Sequence, residues 1–128
     1  MFTCTHILFY SKKPDADRAF FRKALGFRSV DAGGGWLIFA MPPAEAAFHP
    51  ADGDFSQKHS GHRMMGAIVY LMCSNLTAVM NSLKKKKVKC GKVAKERWGI
   101  RTTINLPSCA AIGLYQPTHP TAIHLKKK

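Results

Sequence analysis

Hydrophobic positions along the chain fall into short runs cut by proline, glycine and polar breaks. Residues 5–10, THILFY, are rich in strand-favouring side chains and are bounded by Ser11-Lys12-Lys13-Pro14, which predicts a first strand. Residues 15–25 follow a different period. Ala16, Ala19, Phe20, Ala24 and Phe27 recur at helical spacing, with Pro14, Asp15 and Asp17 at the start and Gly26 at the end, so an amphipathic helix is expected. Residues 28–31 read as extended. Gly33-Gly34-Gly35 then turns the chain into a strand that starts at Trp36 (WLIFA) and is broken by Pro42-Pro43. A last extended run, Glu45 to His49, stops at Pro50.

Residues 51–66 are polar, carry Gly53 and Gly61, show no period and read as a linker. The pattern then begins again. Residues 67–73 (AIVYLMC) predict a strand, Ser74-Asn75 an N-cap, and Leu76, Val79, Met80 and Leu83 the apolar stripe of a second helix ending in Lys84–Lys87. Val88–Val93 is extended, Trp98-Gly99 opens the strand IRTTINL, Pro107 breaks it, and Ala110–Pro117 closes the half. Strand 5–10 corresponds to 67–73, helix 15–25 to 75–84, the Trp36 strand to the one after Trp98, and Glu45–Pro50 to Ala111–Pro117. Each half is a strand, a helix and three strands over about 60 residues, so that two units share a core neither could bury alone. The expected class is α+β in one domain: residues 1–50 a first module, 51–66 a linker, 67–120 a second module and 121–128 a basic tail.

The bulk properties narrow the picture. At 128 residues and 46% apolar content the chain can bury a real core, and no apolar run approaches the roughly 18–20 residues of a bilayer span. The N-terminus reads as a strand and not as a signal peptide, which places the protein in the cytoplasm. Cys4, Cys73, Cys90 and Cys109 are widely spaced with no C-x-x-C pair, so all are expected free and structural. Twenty Lys and Arg against seven acids leave a net charge of +13. The runs Lys84–Lys87 and Lys126–Lys128 hold much of it, one where a helix ends and one at a terminus, and no aromatic residues interleave them. A nucleic-acid partner is therefore not expected. The positive field favours neutral or anionic small ligands over cationic ones.

Asp17–Phe27 (DRAFFRKALGF), Gly34–Glu45 (GGWLIFAMPPAE), Tyr70–Leu76 (YLMCSNL), Trp98–Pro107 (WGIRTTINLP) and Ile112–Pro120 (IGLYQPTHP) together resemble the vicinal oxygen chelate superfamily of glyoxalases, bleomycin-resistance proteins and extradiol dioxygenases, in particular its small bacterial single-domain members. The resemblance implies two βαβββ modules whose curled mixed sheet surrounds a cleft, and a homodimer. It also implies metal ligands on the first and last strands of each module. In the first module those places hold His6 and Glu45; in the second, Ala67, Ile68 and Ala111 stand where ligands would be, and none can coordinate.

Strand alternation sorts the remaining side chains. Glu45, Ala47 and His49 share one face, with Phe48 and its counterpart Leu114 on the other, packed on a helix. His6, Leu8 and Tyr10 point to the cleft, and Ile7 and Phe9 lie under the helix. His6, Glu45 and His49 are thus the candidate metal set, with His62 on the linker as a fourth donor. Such donors suit zinc, iron, manganese or nickel with open positions for substrate. A metal-dependent lyase, isomerase or dioxygenase would polarise a substrate oxygen there, with Glu45 as the catalytic base. The alternative is a metal-free protein that binds or sequesters a small molecule. In either case Tyr10, Trp36, Trp98 and Tyr115 are the expected substrate-binding wall, the two tryptophans flanking a planar ligand. His59-Ser60-Gly61-His62 reads as a flexible loop beside the opposing charges of Lys58 and Arg63, and His119 and His124 read as solvent-facing.

Overall fold

The first regular element starts at Pro14, which has no amide hydrogen to lose at a helix N-terminus, and carries Asp15 and Asp17 in its first turn, where acids complement the helix dipole. Helix α1 runs Pro14–Lys23 in the computed structural model, which describes residues 1–125. Gly26, at φ 74°, lets the Phe27 amide reach back to the Phe21 carbonyl at 3.0 Å and closes the helix end. Strands β1 (Ser29–Asp31) and β2 (Leu37–Phe39) then pair antiparallel, Val30 opposite Ile38, across the triple-glycine turn.

Residues 51–66, expected as a plain linker, contain a small hairpin of β3 (Gln57–His59) and β4 (His62–Met64). Its two-residue turn is Ser60-Gly61, at φ 51° and 77°, the mirror-image geometry that matches the twist of paired strands. A two-strand hairpin whose strands are polar except for Met64 has no hydrophobic period to announce it, which leaves the turn residues as its signal.

The second half builds the larger sheet. Strand β5 (Tyr70–Met72), helix α2 (Leu76–Lys85) and strands β6 (Ala94–Glu96), β7 (Gly99–Asn105) and β8 (Ala111–Pro117) follow, but β6 lies after the 88–93 run expected as a strand, which makes only a Cys90–Ile104 bridge. The sheet order is β5-β8-β7-β6. Strands β7 and β8 pair antiparallel from Gly99 opposite Pro117 to Asn105 opposite Ala111, and β5 lies parallel along the other edge of β8. Helix α2 is capped twice: the Asn75 side chain accepts from the Ala78 amide at 3.0 Å, and Gln116 of β8 accepts from the Leu76 amide at 2.9 Å. Its basic end does what the charge pattern implied and more, since the Lys86 ammonium donates to the Ala24 carbonyl just past α1 at 3.0 Å. Lys126–Lys128 lie outside the described residues. Among the described residues no helix is long and apolar enough to cross a membrane.

The alternation along β7 and β8 decides where the core sits. Ile104, Ile112 and Leu114 face the helices and form one buried cluster with Leu106, Phe21 of α1, and Leu76 and Leu83 of α2. Each such side chain contributes about 1.5–3 kcal/mol on burial. Thr102 is also buried on this face, at 2% exposure, and its hydroxyl donates to the Gly91 carbonyl at 2.7 Å. On the opposite face Gly113 is a steric requirement: a Cβ there would run into the ring of Tyr70, its register partner on β5.

Two expected strands of the first half are not formed. Residues 5–10 and 45–49 make no ladder. Phe9 meets the edge of the Phe21 ring at 5.9 Å, but Ile7, Leu8, Phe9 and Tyr10 all stay exposed, and Phe48, expected to pack on a helix, is 84% exposed. The 45–49 run lies between Pro42-Pro43 and Pro50, which carry no amide donors, and contains two alanines, which favour strands weakly.

Asp17 joins the first half to the second. Its carboxylate accepts from the Ser108 amide in the β7–β8 turn at 3.0 Å and from the Ser11 hydroxyl at 2.6 Å. Burial by itself would raise this acid; the hydrogen bonds from Ser108 and Ser11, helped by the Lys13 charge, outweigh it and hold it below its usual range. A depressed carboxyl stabilises the fold above its unfolded pKa, and that stability is lost as pH falls through the folded value. Urea unfolding should therefore show wild-type stability falling below about pH 4. Asp17→Ala should lose about 1.5–3 kcal/mol at pH 7 and show a weaker acid dependence; an unchanged acid limb would remove Asp17 from this role.

Candidate functional site

Chemistry-bearing side chains gather on the face of the large sheet opposite the helices. Tyr70 on β5 and Tyr115 on β8 both point to it, and Trp98, just before β7, leans over from the end of the sheet. The three rings meet edge to face, with centroids 5.2 Å apart for Tyr70–Tyr115, 5.3 Å for Trp98–Tyr115 and 5.9 Å for Tyr70–Trp98. Tyr115 is the floor, 8% exposed, while Trp98 is open at 38%. Past Pro117 the chain turns back, so that His119 stacks on Tyr115 at 5.9 Å between centroids.

Hydrogen bonds fix the tautomer of His119. Its Nδ1 lies 2.7 Å from the Pro120 carbonyl, which can only accept, so Nδ1 carries the proton. In the neutral ring Nε2 is then the acceptor for the Tyr115 hydroxyl at 3.1 Å. Glu45 closes the group. One carboxylate oxygen accepts from the Ala122 amide at 2.7 Å, and the other lies 4.0 Å from His119 Nε2. The Tyr115 phenol is pushed above its usual range, first by burial, then by the Glu45 charge and by Tyr70. It therefore stays protonated and acts as a donor, not as a base. Further along the same face an open hollow of about 290 Å³ is bounded by Met72, Pro117, Thr121, Ile123 and His124. A hollow of about 230 Å³ on the helix side is lined by Leu25, Phe27, Cys73, Val79, Leu83 and, as its polar groups, Ser82 and Lys86.

The structure brings only part of the expected set to this place. Glu45, Trp98 and Tyr115 are here. His6 is exposed, and the exposed His49 bonds through Nδ1 to the Pro50 carbonyl at 2.8 Å. Among the described residues no three His, Cys, Asp or Glu side chains stand close enough to hold a metal ion, so His6, Glu45 and His49 do not converge. The reason is the missing ladder: alternation aims side chains only when a strand is paired, and 5–10 and 45–49 are not. His62 lies on β4, Tyr10 contacts His59, and Trp36 stacks under the Arg18 guanidinium at 5.1 Å, so the two tryptophans belong to different clusters. The zinc, iron, manganese or nickel centre implied by the resemblance does not fit this face, where Glu45 and His119 stand together with no third close donor among the described residues. The four cysteines are free, and burial raises the Cys73 and Cys90 thiols, so neither is an activated nucleophile.

Sequence reasoning missed two residues. His119 was expected in solvent; Pro117, which ends β8 and redirects the chain, was the available signal that a histidine four residues past Tyr115 folds back on it. Tyr70 is the second; the glycine opposite it on β8, Gly113, is what makes room for its ring.

No family model matches the chain, and no curated protein matches it. Solved structures do. TnmS3, an antibiotic-binding protein from Streptomyces sp. CB03234, aligns over 92% of this chain and all of its own, at 18% identity and a TM-score of 0.56. UcmS2 aligns over 90% of this chain and 98% of its own, at 15% identity and 0.58. Lactoylglutathione lyase from Agrobacterium tumefaciens aligns over 89% and 92%, at 13% identity and 0.56. The chain therefore shares the small α+β fold of these proteins.

The site geometry makes a spectroscopic forecast. Tyrosinate absorbance should include one component titrating above the ordinary phenol range, absent in Tyr115→Phe and shifted down in Glu45→Gln. If the charge-neutral Glu45→Gln protein keeps the wild-type curve, the carboxylate is not acting on Tyr115.

Proposed function

We propose that this protein binds a small planar ligand, neutral or anionic, on the open face of its large sheet, and does so without a catalytic metal. The observation that carries this reading is the Tyr70–Trp98–Tyr115 cluster with its floor buried and its rim open, beside a hollow of about 290 Å³. Ring edges and faces at this spacing favour stacking on a flat ligand, and concave, largely apolar sites with a few polar groups are the usual form of small-molecule pockets. Glu45 acts here as a positioning residue that ties the 118–122 segment over the site. A metal-dependent lyase, isomerase or dioxygenase would need donors that this face lacks. The antibiotic-binding neighbour of the same fold gives independent support to a sequestering role, and the +13 charge argues against a cationic drug as ligand.

A second copy of the chain belongs to the same reading. Phe2, Phe48, Met65 and Ile68 are 80–90% exposed, apolar side chains that a partner chain would cover. The outer edge of β5 is also unpaired, and the 5–10 run has backbone groups to offer it. The two-module βαβββ arrangement implied by the internal repeat is completed when such runs find ladder partners across a homodimer.

Ligand binding is checked by titrating Trp98 fluorescence in a Trp36→Phe background with pyrenesulfonate and, as its cationic counterpart, acridine orange. Saturable quenching by the sulfonate, at least tenfold tighter than by the dye and weakened at least tenfold (about 1.4 kcal/mol) by Tyr70→Ala, is expected. Binding that ignores Tyr70 would place the ligand elsewhere. Sedimentation velocity at micromolar concentration should show a dimer that Phe48→Asp or Ile68→Asp dissociates; a monomer throughout would rule the dimer out.

A further inference from the structure

The hairpin formed by β3 and β4 places His59 and His62 directly opposite each other, at the two positions that close its Ser60-Gly61 turn. Directly opposed residues on an antiparallel pair share a face, with Cβ atoms about 5 Å apart, a separation from which two imidazoles can reach one ion. We propose that this cross-strand pair is a binding site for a single late-transition divalent cation such as zinc, with the remaining coordination positions left to water.

Three observations carry the site. The hairpin turn is fixed by two consecutive positive φ angles, so the pair does not sit on a floppy loop. The neighbouring cations are turned away: Lys58 and Arg63 oppose each other one register step along and so project from the other face. Arg63 is also engaged by Asp54 at 3.4 Å. Tyr10 supplies the third. Its hydroxyl hydrogen-bonds His59 Nδ1, which engages that nitrogen and leaves Nε2 as the one a cation would take. A hydrogen bond of this kind, at the non-ligating ring nitrogen, is what orients metal-bound histidines and raises their basicity. Borderline-soft imidazole donors select zinc, nickel and copper over magnesium and calcium.

The site is independent of the aromatic face and of the ligand proposed for it, and it is tested on the full chain without a polyhistidine tag. Calorimetric titration with zinc chloride should show one ion per chain. His59→Ala and His62→Ala should each weaken it at least tenfold, and Tyr10→Phe about tenfold. His49→Ala should leave it unchanged. In the wild-type protein, trace copper(II) should broaden the ring proton signals of His59 and His62 before those of His6, His49, His119 and His124, a readout that needs no variant to fold. Absence of zinc binding, binding indifferent to His62→Ala, or uniform broadening of all six histidines would overturn the proposal.

Discussion

Strand β8 is hydrogen-bonded along both of its edges, antiparallel to β7 over seven residues and parallel to β5 over three. A strand held on both sides cannot rotate or slip without exchanging its faces, and this constraint organises the rest of the molecule. Its even-numbered side chains, Ile112 and Leu114, go to the helices, with Gln116 reaching the first amide of α2. Its odd-numbered positions build the other face, where Gly113 makes room for the Tyr70 ring and Tyr115 becomes the floor of the aromatic cluster. Core and site are the two sides of one ladder.

The first half lacks an equivalent strand. Its helix is well made and contributes Phe21 to the common core, and Asp17 fastens it to the β7–β8 turn. The runs that flank the helix find no ladder partner within the chain, so their apolar side chains stay at the surface. From the 45–49 run Glu45 reaches the C-terminal part of the chain, through the Ala122 amide and His119. The inequality of the halves is chemical as well as structural. The first half carries the metal-type donors His6 and His49 without a strand to aim them; the second has the sheet, with alanine and isoleucine where ligands would stand.

Both helices, the glycine hairpin, the strands β5, β7 and β8 and the free cysteines were legible in the sequence because each rests on local signals: periodicity, caps, turn residues and spacing. The site was legible in part. Tyr115 follows from strand alternation in a run that does pair, while Trp98, just before β7, was expected there from its correspondence to Trp36. His6 and His49 were assigned by the same alternation in runs that do not, and Tyr10 and Trp36 went to other partners, His59 and Arg18. The hairpin of 57–64 escaped notice because a polar two-strand element has no hydrophobic period.

By itself, then, the sequence determined the two helices, the glycine hairpin and the strands β5, β7 and β8, and that Ala67, Ile68 and Ala111 cannot coordinate a metal. Tertiary structure alone decided which strands would pair, and with that which side chains meet. A period of two residues specifies that neighbours point opposite ways, but only a bonded partner strand specifies which way is inward. His119 over Tyr115, Glu45 against Ala122 and the opposed pair His59–His62 all depend on that second kind of information.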